Sequence, residues 1–419
     1  MNILHINTTD SGGAAKAMIR LHEGLLQKNI SSKVLTLYHQ SASYQKKVFP
    51  FHNGHHSFID KARYSLLYRM DHFKKKQALK NKLTNYEVFS FPFSIYDLHK
   101  HPLVKEADLI HLHWVGGFLD YETFFKQIDK PIVWTLHDLN PFSGGFHYAN
   151  DSANHQDEFA DLEEEYLKIK KNALKACKNL NIVCLSQWIK STSEKSDIFK
   201  SFPHHLIANG LDLEVFKPRP KTALRQKYNL PLDKNILLFV ADNIHNKRKG
   251  FQHLREALKH LDRKDFVCVL VGNDEKPLEE EYFLPLHFIN EETELAEVYA
   301  AADICIVPSL EDNLPNTVLE AMASGLPVVG FEVGGIPDMI QPSKNGSLVP
   351  LADSISLAQK IEEILDNPTL QQNFGEQARE IASQNYSIQR QATQYLSLYE
   401  DILNAKNSNS LSPKGEIIY

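Results

Sequence analysis

The sequence is poor in the features that mark several large classes of protein. It has four cysteines, Cys177, Cys184, Cys268 and Cys305, without a Cys-x-x-Cys spacing, and the last three sit in apolar runs. That argues against a disulfide framework, a thiolate metal site or a redox pair, and for reduced core side chains. No apolar run approaches the ~20 residues that a membrane-spanning helix needs. The chain opens on the apolar run Ile3–Ile6 with no charged lead and no cleavable apolar region. No secretory signal is therefore expected, and a cytoplasmic protein follows, free to sit peripherally on the inner face of the membrane. Positive charge is not in excess: 46 Lys and Arg against 52 Asp and Glu give a formal −6, so nothing draws the whole chain to nucleic acid. Also missing are a Gly-x-Gly-x-x-Gly fingerprint after the first strand, a Walker loop, an Asp-x-Asp pair between strands and any short internal repeat.

What is present is alternation. Short β-branched apolar runs alternate with longer amphipathic segments, which predicts βα units around parallel sheets. In the first half strands are expected at Ile3–Ile6, Lys33–Leu37, Leu109–Leu112, Ile132–Leu136 and Ile182–Leu185. In the second half they are expected at Ile236–Ala241, Phe266–Val271, Ile304–Val307 and Pro327–Phe331. Between the two series, Ala208-Asn209-Gly210-Leu211-Asp212 and Phe216-Lys217-Pro218 carry the Gly and Pro punctuation of a domain junction. The reading is an α/β protein with two doubly wound, Rossmann-like domains facing each other across a cleft. The first spans 1–207 with an insertion at about 39–107, and the second spans 208–385. An amphipathic helix within 386–404 is expected to pack back on the first domain, and the polar stretch 405–419 to be disordered.

The insertion contains a basic segment. Between Lys61 and Lys82 stand Lys61, Arg63, Arg69, Lys74, Lys75, Lys76, Lys80 and Lys82 against one acid, Asp71, with Tyr64, Leu67, Tyr68 and Leu79 interleaved. A basic amphipathic helix of this kind lies on an anionic membrane surface or is a solvated helix packed on its own domain.

Chemistry-bearing residues gather where the expected strands end, and open α/β sheets bind ligands there. After the first strand comes Asp10-Ser11-Gly12-Gly13-Ala14-Ala15-Lys16, a glycine turn into a helix whose N–H groups favour anions. After the third comes His111-Leu112-His113-Trp114 with Gly116-Gly117, and after the fourth His137-Asp138, followed by Ser143-Gly144-Gly145-Phe146-His147. Period-two histidines without cysteine or a carboxylate partner make a poor metal set, so these are read as lining for an acceptor. Asp138 is a candidate to orient the His137 imidazole or to bind acceptor. In the second half, Asn246-Lys247-Arg248-Lys249-Gly250 places three cations ahead of a helix, a setting suited to a diphosphate. Last comes PSLEDNLPNTVLEAMASGLPVVGFEVGGIPD, Pro308 to Asp338. It holds Glu311, Asp312 and Asn313 in a loop, Pro315 at a helix start, Glu320 two turns in, and Gly334-Gly335 after the next strand.

The run Pro308–Asp338 resembles the nucleotide-sugar site of family 4 glycosyltransferases, of the type that builds bacterial exopolysaccharide, O-antigen or colanic acid. Ser186-Gln187-Trp188, the junction at Asn209–Asp212 and Ala301-Ala302-Asp303 also fit that family. The resemblance implies a GT-B fold. It implies retaining transfer of a hexosyl group from a nucleoside-diphosphate sugar to a glycan or lipid-linked hydroxyl acceptor, with no metal and no other cofactor. The family's pair of acids eight residues apart falls on Asp312 and Glu320, Asp standing where Glu is usual, and the second acid accepts from the ribose hydroxyls. Lys249 matches the diphosphate-binding lysine. The arginine usual five residues earlier is replaced by Ile244, which leaves Arg248 or Lys247 to complete the clamp. The resemblance gives His137 the donor sugar and, with Asp138, Lys249 and Asp312, the catalytic positions. Donor binding extends to Gly12, Gly13, Arg248, Glu311, Asn313, Leu314, Pro315, Asn316, Thr317 and Glu320. The acceptor side falls to His111, His113, Trp114, Gly144 and His147. The competing readings are a nucleotide-sugar epimerase of the same double fold and a non-catalytic glycan- or nucleotide-binding relative.

Overall fold

The computed structural model describes residues 1–39, 47–51, 58–82, 85–175, 177–273, 278 and 280–411, with the side chains of 58–63 and 407–411 left aside. Parts of the expected insertion (40–46, 52–57, 83 and 84) and 412–419 of the expected disordered tail lie outside the described residues. The chain divides into two compact units. Unit 1 comprises Met1–Cys184, Lys190–Ile207 and the chain from Gln389 on; unit 2 comprises Leu185–Ile189 and Ala208–Ile388.

Unit 1 is built on a parallel sheet. Its strands are β1 (Asn2–Thr9), β2 (Ser31–Tyr38), β3 (Val48–Pro50), β4 (Leu109–Leu112), β5 (Ile132–Leu136), β6 (Leu180–Cys184) and β7 (His204–Leu206). Their order is β3-β2-β1-β4-β5-β6-β7. Unit 2 repeats the plan with β8 (Asn235–Asn243), β9 (Phe266–Asn273), β10 (Phe283–Pro285), β11 (Ile304–Val307), β12 (Val328–Phe331) and β13 (Gly346–Val349), ordered β10-β9-β8-β11-β12-β13. In each sheet the first strand is central, with its successor on one side and a later strand on the other. The order reverses there, between β1 and β4 and between β8 and β11, and the crevice beyond the carboxyl ends is where such sheets take ligands.

Every strand expected from the sequence is present, and four more, β3, β7, β10 and β13, were not expected. All four sit at or next to sheet edges, are three or four residues long, and include Pro50, Pro285 and the His204-His205 pair. For β3, β7 and β10 a half-exposed edge needs no continuous apolar run and tolerates proline, so the sequence signal is weak. β13 is largely buried, but its four residues Gly-Ser-Leu-Val hold too short an apolar run to signal a strand. The inner strands of unit 2 bury both faces. Leu238, Val267, Val269, Cys305 and Val307 fall in one core cluster, while Leu237, Phe239, Cys268, Leu270, Ile304 and Ile306 fall in the opposite one. Each such side chain contributes about 1.5–3 kcal/mol on burial, and alternation between two covered faces is the mark of a doubly wound sheet.

The last helix, Ile388–Leu411, covers part of one face of the unit 1 sheet: Ala392, Tyr395, Leu398 and Tyr399 pack with Ile3, Leu109, Val133 and Val183. It remains helical from 405 to 411, within the stretch expected to be disordered. Among the described residues, no helix is long and apolar enough to cross a membrane.

Candidate active site

In unit 2 the residues singled out from sequence converge at the β8/β11 switch point. After β8 a short helical turn, Lys247–Lys249, is capped by Asn246, whose side chain accepts from the Arg248 N–H. Gly250 follows in the left-handed region at φ +74°, and a Cβ there would stand 1.7 Å from the Pro308 carbonyl oxygen. Only glycine therefore lets this turn close on the β11 loop, and the Leu310 N–H bonds back to the Arg248 carbonyl at 2.7 Å. The side chains converge as well. Lys249 Nζ lies 2.6 Å from Asp312 Oδ2, and Arg248 reaches the same oxygen at 3.5 Å and the Glu311 carbonyl at 3.1 Å. Burial by itself would raise the Asp312 carboxyl, but Lys249 and then Arg248 hold it below the usual carboxylate range.

Gly334 and Gly335 clamp the loop from the β12 side. Gly334 has φ +54°, and a Cβ on either would meet the Asp312 or Asn313 carbonyl oxygen at 1.8 Å. The Gly335 N–H donates to the Asp312 carbonyl at 3.1 Å, and the Ser186 hydroxyl donates to Asn313 Oδ1 at 2.6 Å. The loop is thus held on three sides. Pro315 caps the helix Asn316–Ala323, which presents half-buried Asn316 and Thr317 at its start. Glu320 is 3% exposed and accepts from the Tyr299 hydroxyl at 3.2 Å. Ile244, at the family's arginine position, is wholly buried, so no cation arises there. Arg248, not exposed Lys247, stands beside Lys249.

In unit 1 the β1/β4 switch point carries a different arrangement. Gly12, at φ +87°, is the N-cap of α1 (Gly13–Gln27), and a Cβ on it would meet nothing within 4 Å. Its requirement is the left-handed backbone, and the space above it is open. Buried Asp10 pairs with His39 at 2.7 Å. Beneath this loop runs a ladder of imidazoles: His5 Nδ1 to His113 Nε2 at 3.0 Å, then His113 Nδ1 to His137 Nε2 at 3.2 Å. Burial lowers the pKa of His5, His111 and His113 well below the ordinary value and takes His137 to about 4, with Asp138 pulling the other way. All four are neutral at pH 7.

The structure redirects several unit 1 expectations. Asp138 is held chiefly by His147, Trp114 and Asn140. Its oxygens accept from His147 Nδ1 (2.6 Å), Trp114 Nε1 (2.8 Å) and the Asn140 N–H (3.0 Å). His147 thereby donates through Nδ1, and its Nε2 pairs with Ser90 Oγ at 2.8 Å. His111 and His147, expected on the acceptor side, are 0% and 1% exposed. Both His111 nitrogens are taken, by Tyr399 Oη and Thr135 Oγ1, each at 2.7 Å. Gly144 faces its own unit: Gly144, Gly145 and Phe146 donate N–H groups to the Glu163 carboxylate at 3.1, 2.5 and 3.1 Å. His113 is buried and Trp114 half-buried.

Nitrogens of His5, His111 and His113 lie within 4.8 Å of one another, a geometry a metal ion could use. Both nitrogens of His111 and of His113 are already engaged in the bonds just described, whereas His5 Nε2 is buried without a partner. Sequence reasoning missed Lys170. It is fully buried, donates to the Asn140 and Ser143 carbonyls at 2.6 and 3.0 Å, and is lowered by burial to about 7. A lysine on a helix 30 positions away from its partner carries no local signal.

Similarity to known proteins follows the same geography. Over 243 residues the chain is 28% identical to N-acetyl-alpha-D-glucosaminyl L-malate synthase of Bacillus anthracis, covering 52% of this chain and 63% of that one. Against D-inositol 3-phosphate glycosyltransferase 2 of Catenulispora acidiphila it is 33% identical over 193 residues, 42% of this chain and 45% of that one. The chain thus spans about half to two thirds of the length of these first relatives. D-inositol 3-phosphate glycosyltransferase of Corynebacterium diphtheriae is 26% identical over 70% of both chains. Sucrose-phosphate synthase from Thermosynechococcus elongatus superposes with a TM-score of 0.70 at 21% identity, covering 97% of this chain and 100% of that one. Anabaena HepE in complex with UDP and glucose gives 0.68 at 17% identity, covering 96% and 99%. At these identities the likeness shows the fold, which is GT-B: two Rossmann-like α/β units. Residues 220–381, the part of unit 2 that holds Lys249, Asp312 and Glu320, match the family model described as glycosyl transferases group 1.

Proposed function

We propose that the protein is a retaining, metal-independent glycosyltransferase of family 4. It moves a hexosyl group from a nucleoside-diphosphate sugar to a hydroxyl of a glycan or lipid-linked acceptor in surface polysaccharide or glycolipid synthesis. The observation that carries this reading is the convergence of Lys249 and Arg248 on the Asp312 loop, one helix turn before Asn316 and with Glu320 buried behind it. Two cations beside a helix N-terminus neutralise a leaving diphosphate as its charge develops, which is the electrostatic task such a transfer sets. Asp312 then acts as the gate on those cations and as a hydrogen-bond acceptor for the hexose, with the Glu311–Thr317 backbone around it. Glu320 takes the ribose hydroxyls, its position steadied by Tyr299.

For unit 1 we assign the donor sugar to His137, which is neutral and held by His113, and the acceptor to the edge formed by Gly12, Gly13 and Trp114. Asp138 and His147 support that edge as a buried pair. No protein nucleophile is required if the leaving phosphate accepts the acceptor proton on the same face. The relatives named as glycosyltransferases support this reading.

A thermal-shift screen against nucleoside diphosphates and their sugars tests it, because a ligand that binds the folded state raises the midpoint by mass action. The expected result is a shift with one nucleotide family that Glu320→Gln abolishes. A shift unchanged by Glu320→Gln overturns the ribose role. Conversion of a donor sugar without acceptor would favour an epimerase instead.

A further inference from the structure

The helix α2 (Phe58–Ala78) carries apolar side chains on two opposite faces. Its inner face is accounted for: Ala78 and the following Leu79 pack against the Phe91, Phe146 and Phe159 cluster. Lys74 Nζ lies 3.8 Å from the Phe93 ring centre, and Lys75 pairs with Asp71 at 2.6 Å. The outer side chains are exposed. Leu66, Met70 and Phe73 are 61%, 61% and 63% exposed. At 3.6 residues per turn Leu66, Met70 and Phe73 fall within about 60° of one another, a single stripe along the helix. Exposed Arg69 and Lys76 flank one side of it, and exposed Lys80 follows the helix end.

We propose that this face of unit 1 docks on an anionic lipid surface, with Leu66, Met70 and Phe73 inserted at the headgroup boundary and the basic side chains on the lipid phosphates. Charge decides among occupants. A second copy of the chain would bring its own basic rim against this one, and like charges face to face oppose pairing. A neutral apolar partner would leave the rim unmatched. An interfacial helix has the composition seen here: a narrow apolar stripe of large side chains, a Lys/Arg margin and no length of apolar chain able to span. The inference goes beyond the proposed transfer reaction and does not depend on it, since docking is read without turnover.

Flotation of the full chain with vesicles of phosphatidylcholine, alone or mixed with phosphatidylglycerol, tests it. Recovery with the anionic vesicles and little with phosphatidylcholine alone is expected. Each basic side chain near an anionic surface raises partitioning about fivefold, so Arg69→Gln/Lys76→Gln/Lys80→Gln should lower it about a hundredfold. Leu66→Ser/Met70→Ser/Phe73→Ser should abolish flotation while leaving the thermal midpoint in place, because all three side chains are exposed. Equal recovery on both vesicle types, or unchanged recovery of the serine variant, overturns the proposal. So does a wild-type dimer in sedimentation that the serine variant dissolves, since the face would then be covered by a second copy.

Discussion

The two sheets share a strand order but differ in what they bury. Around the unit 2 switch point, β8, β9 and β11 carry Leu, Val, Phe, Ile and Cys on both faces, and the polar groups wait in the loops beyond the strand ends. Around the unit 1 switch point the polar groups run into the sheet itself. His5 on β1 is opposite His111 on β4, and Thr135 of β5 bonds both His111 and Tyr395. An apolar sheet is indifferent to pH and leaves its loops to do the chemistry. A sheet threaded with neutral imidazoles couples its stability to protonation.

The largest expected effect is on that contrast. The folded pKa values of His5, His111, His113 and His137 lie below 6.5, so below that pH the unfolded chain binds more protons than the folded one. Their stability is fully present above about pH 6.5 and falls as pH drops toward the folded values, by up to about 1.4 kcal/mol per pH unit for each histidine. Amide exchange at pH 5 should show β1 and β4 opening while β8 and β11 stay protected. In unit 2 the depressed carboxyl of Asp312 acts later. Its contribution is present above the unfolded carboxylate value and is lost only as pH falls through the lower folded one. Simultaneous loss of protection in both sheets near pH 6 would erase the distinction.

Next in size is Lys249→Ala, which removes the cation closest to Asp312. Turnover at subsaturating donor should drop by about 2.7–4 kcal/mol of transition-state stabilisation, by analogy with the loss of one oxyanion donor. The unit 1 exchange pattern should be untouched. An unchanged rate would pass the phosphate role to Arg248. Smaller is Gly250→Ala, which adds a Cβ in the left-handed region against the Pro308 carbonyl. A loss of about 2–3 kcal/mol is expected, read from the urea midpoint of unit 2. A neutral result would mean that the β11 loop yields, and that its rigidity is not what holds Lys249 on Asp312.

Much of unit 2 was legible in the sequence because its chemistry is local. Asp312, Pro315 and Glu320 lie within nine residues, and the glycines that clamp the loop are forced by φ and by carbonyls a Cβ would strike. Unit 1 was read less well. Nothing near Asp138 says that it will bond His147, nine positions on, and the Gly144-Gly145 turn looks like a ligand loop until Glu163 is seen gripping its amides. The edge strands β3, β7 and β10 were missed because a half-exposed strand need not look apolar, and β13 because its apolar run is only two residues long.

The sequence by itself determined the alternation of strands and helices, the two-unit plan, the placement of candidate residues at strand ends and the basic composition of α2, since all of these follow from periodicity, backbone chemistry and charge along the chain. Only the tertiary structure decided which of those residues meet. His111 is closed off by Tyr399, 288 positions away, and Lys170 is buried under a loop 30 positions before it. It also left the stripe Leu66, Met70 and Phe73 exposed. Contacts over such separations depend on how the faces of packed elements are shared out, and no local pattern of residues encodes that.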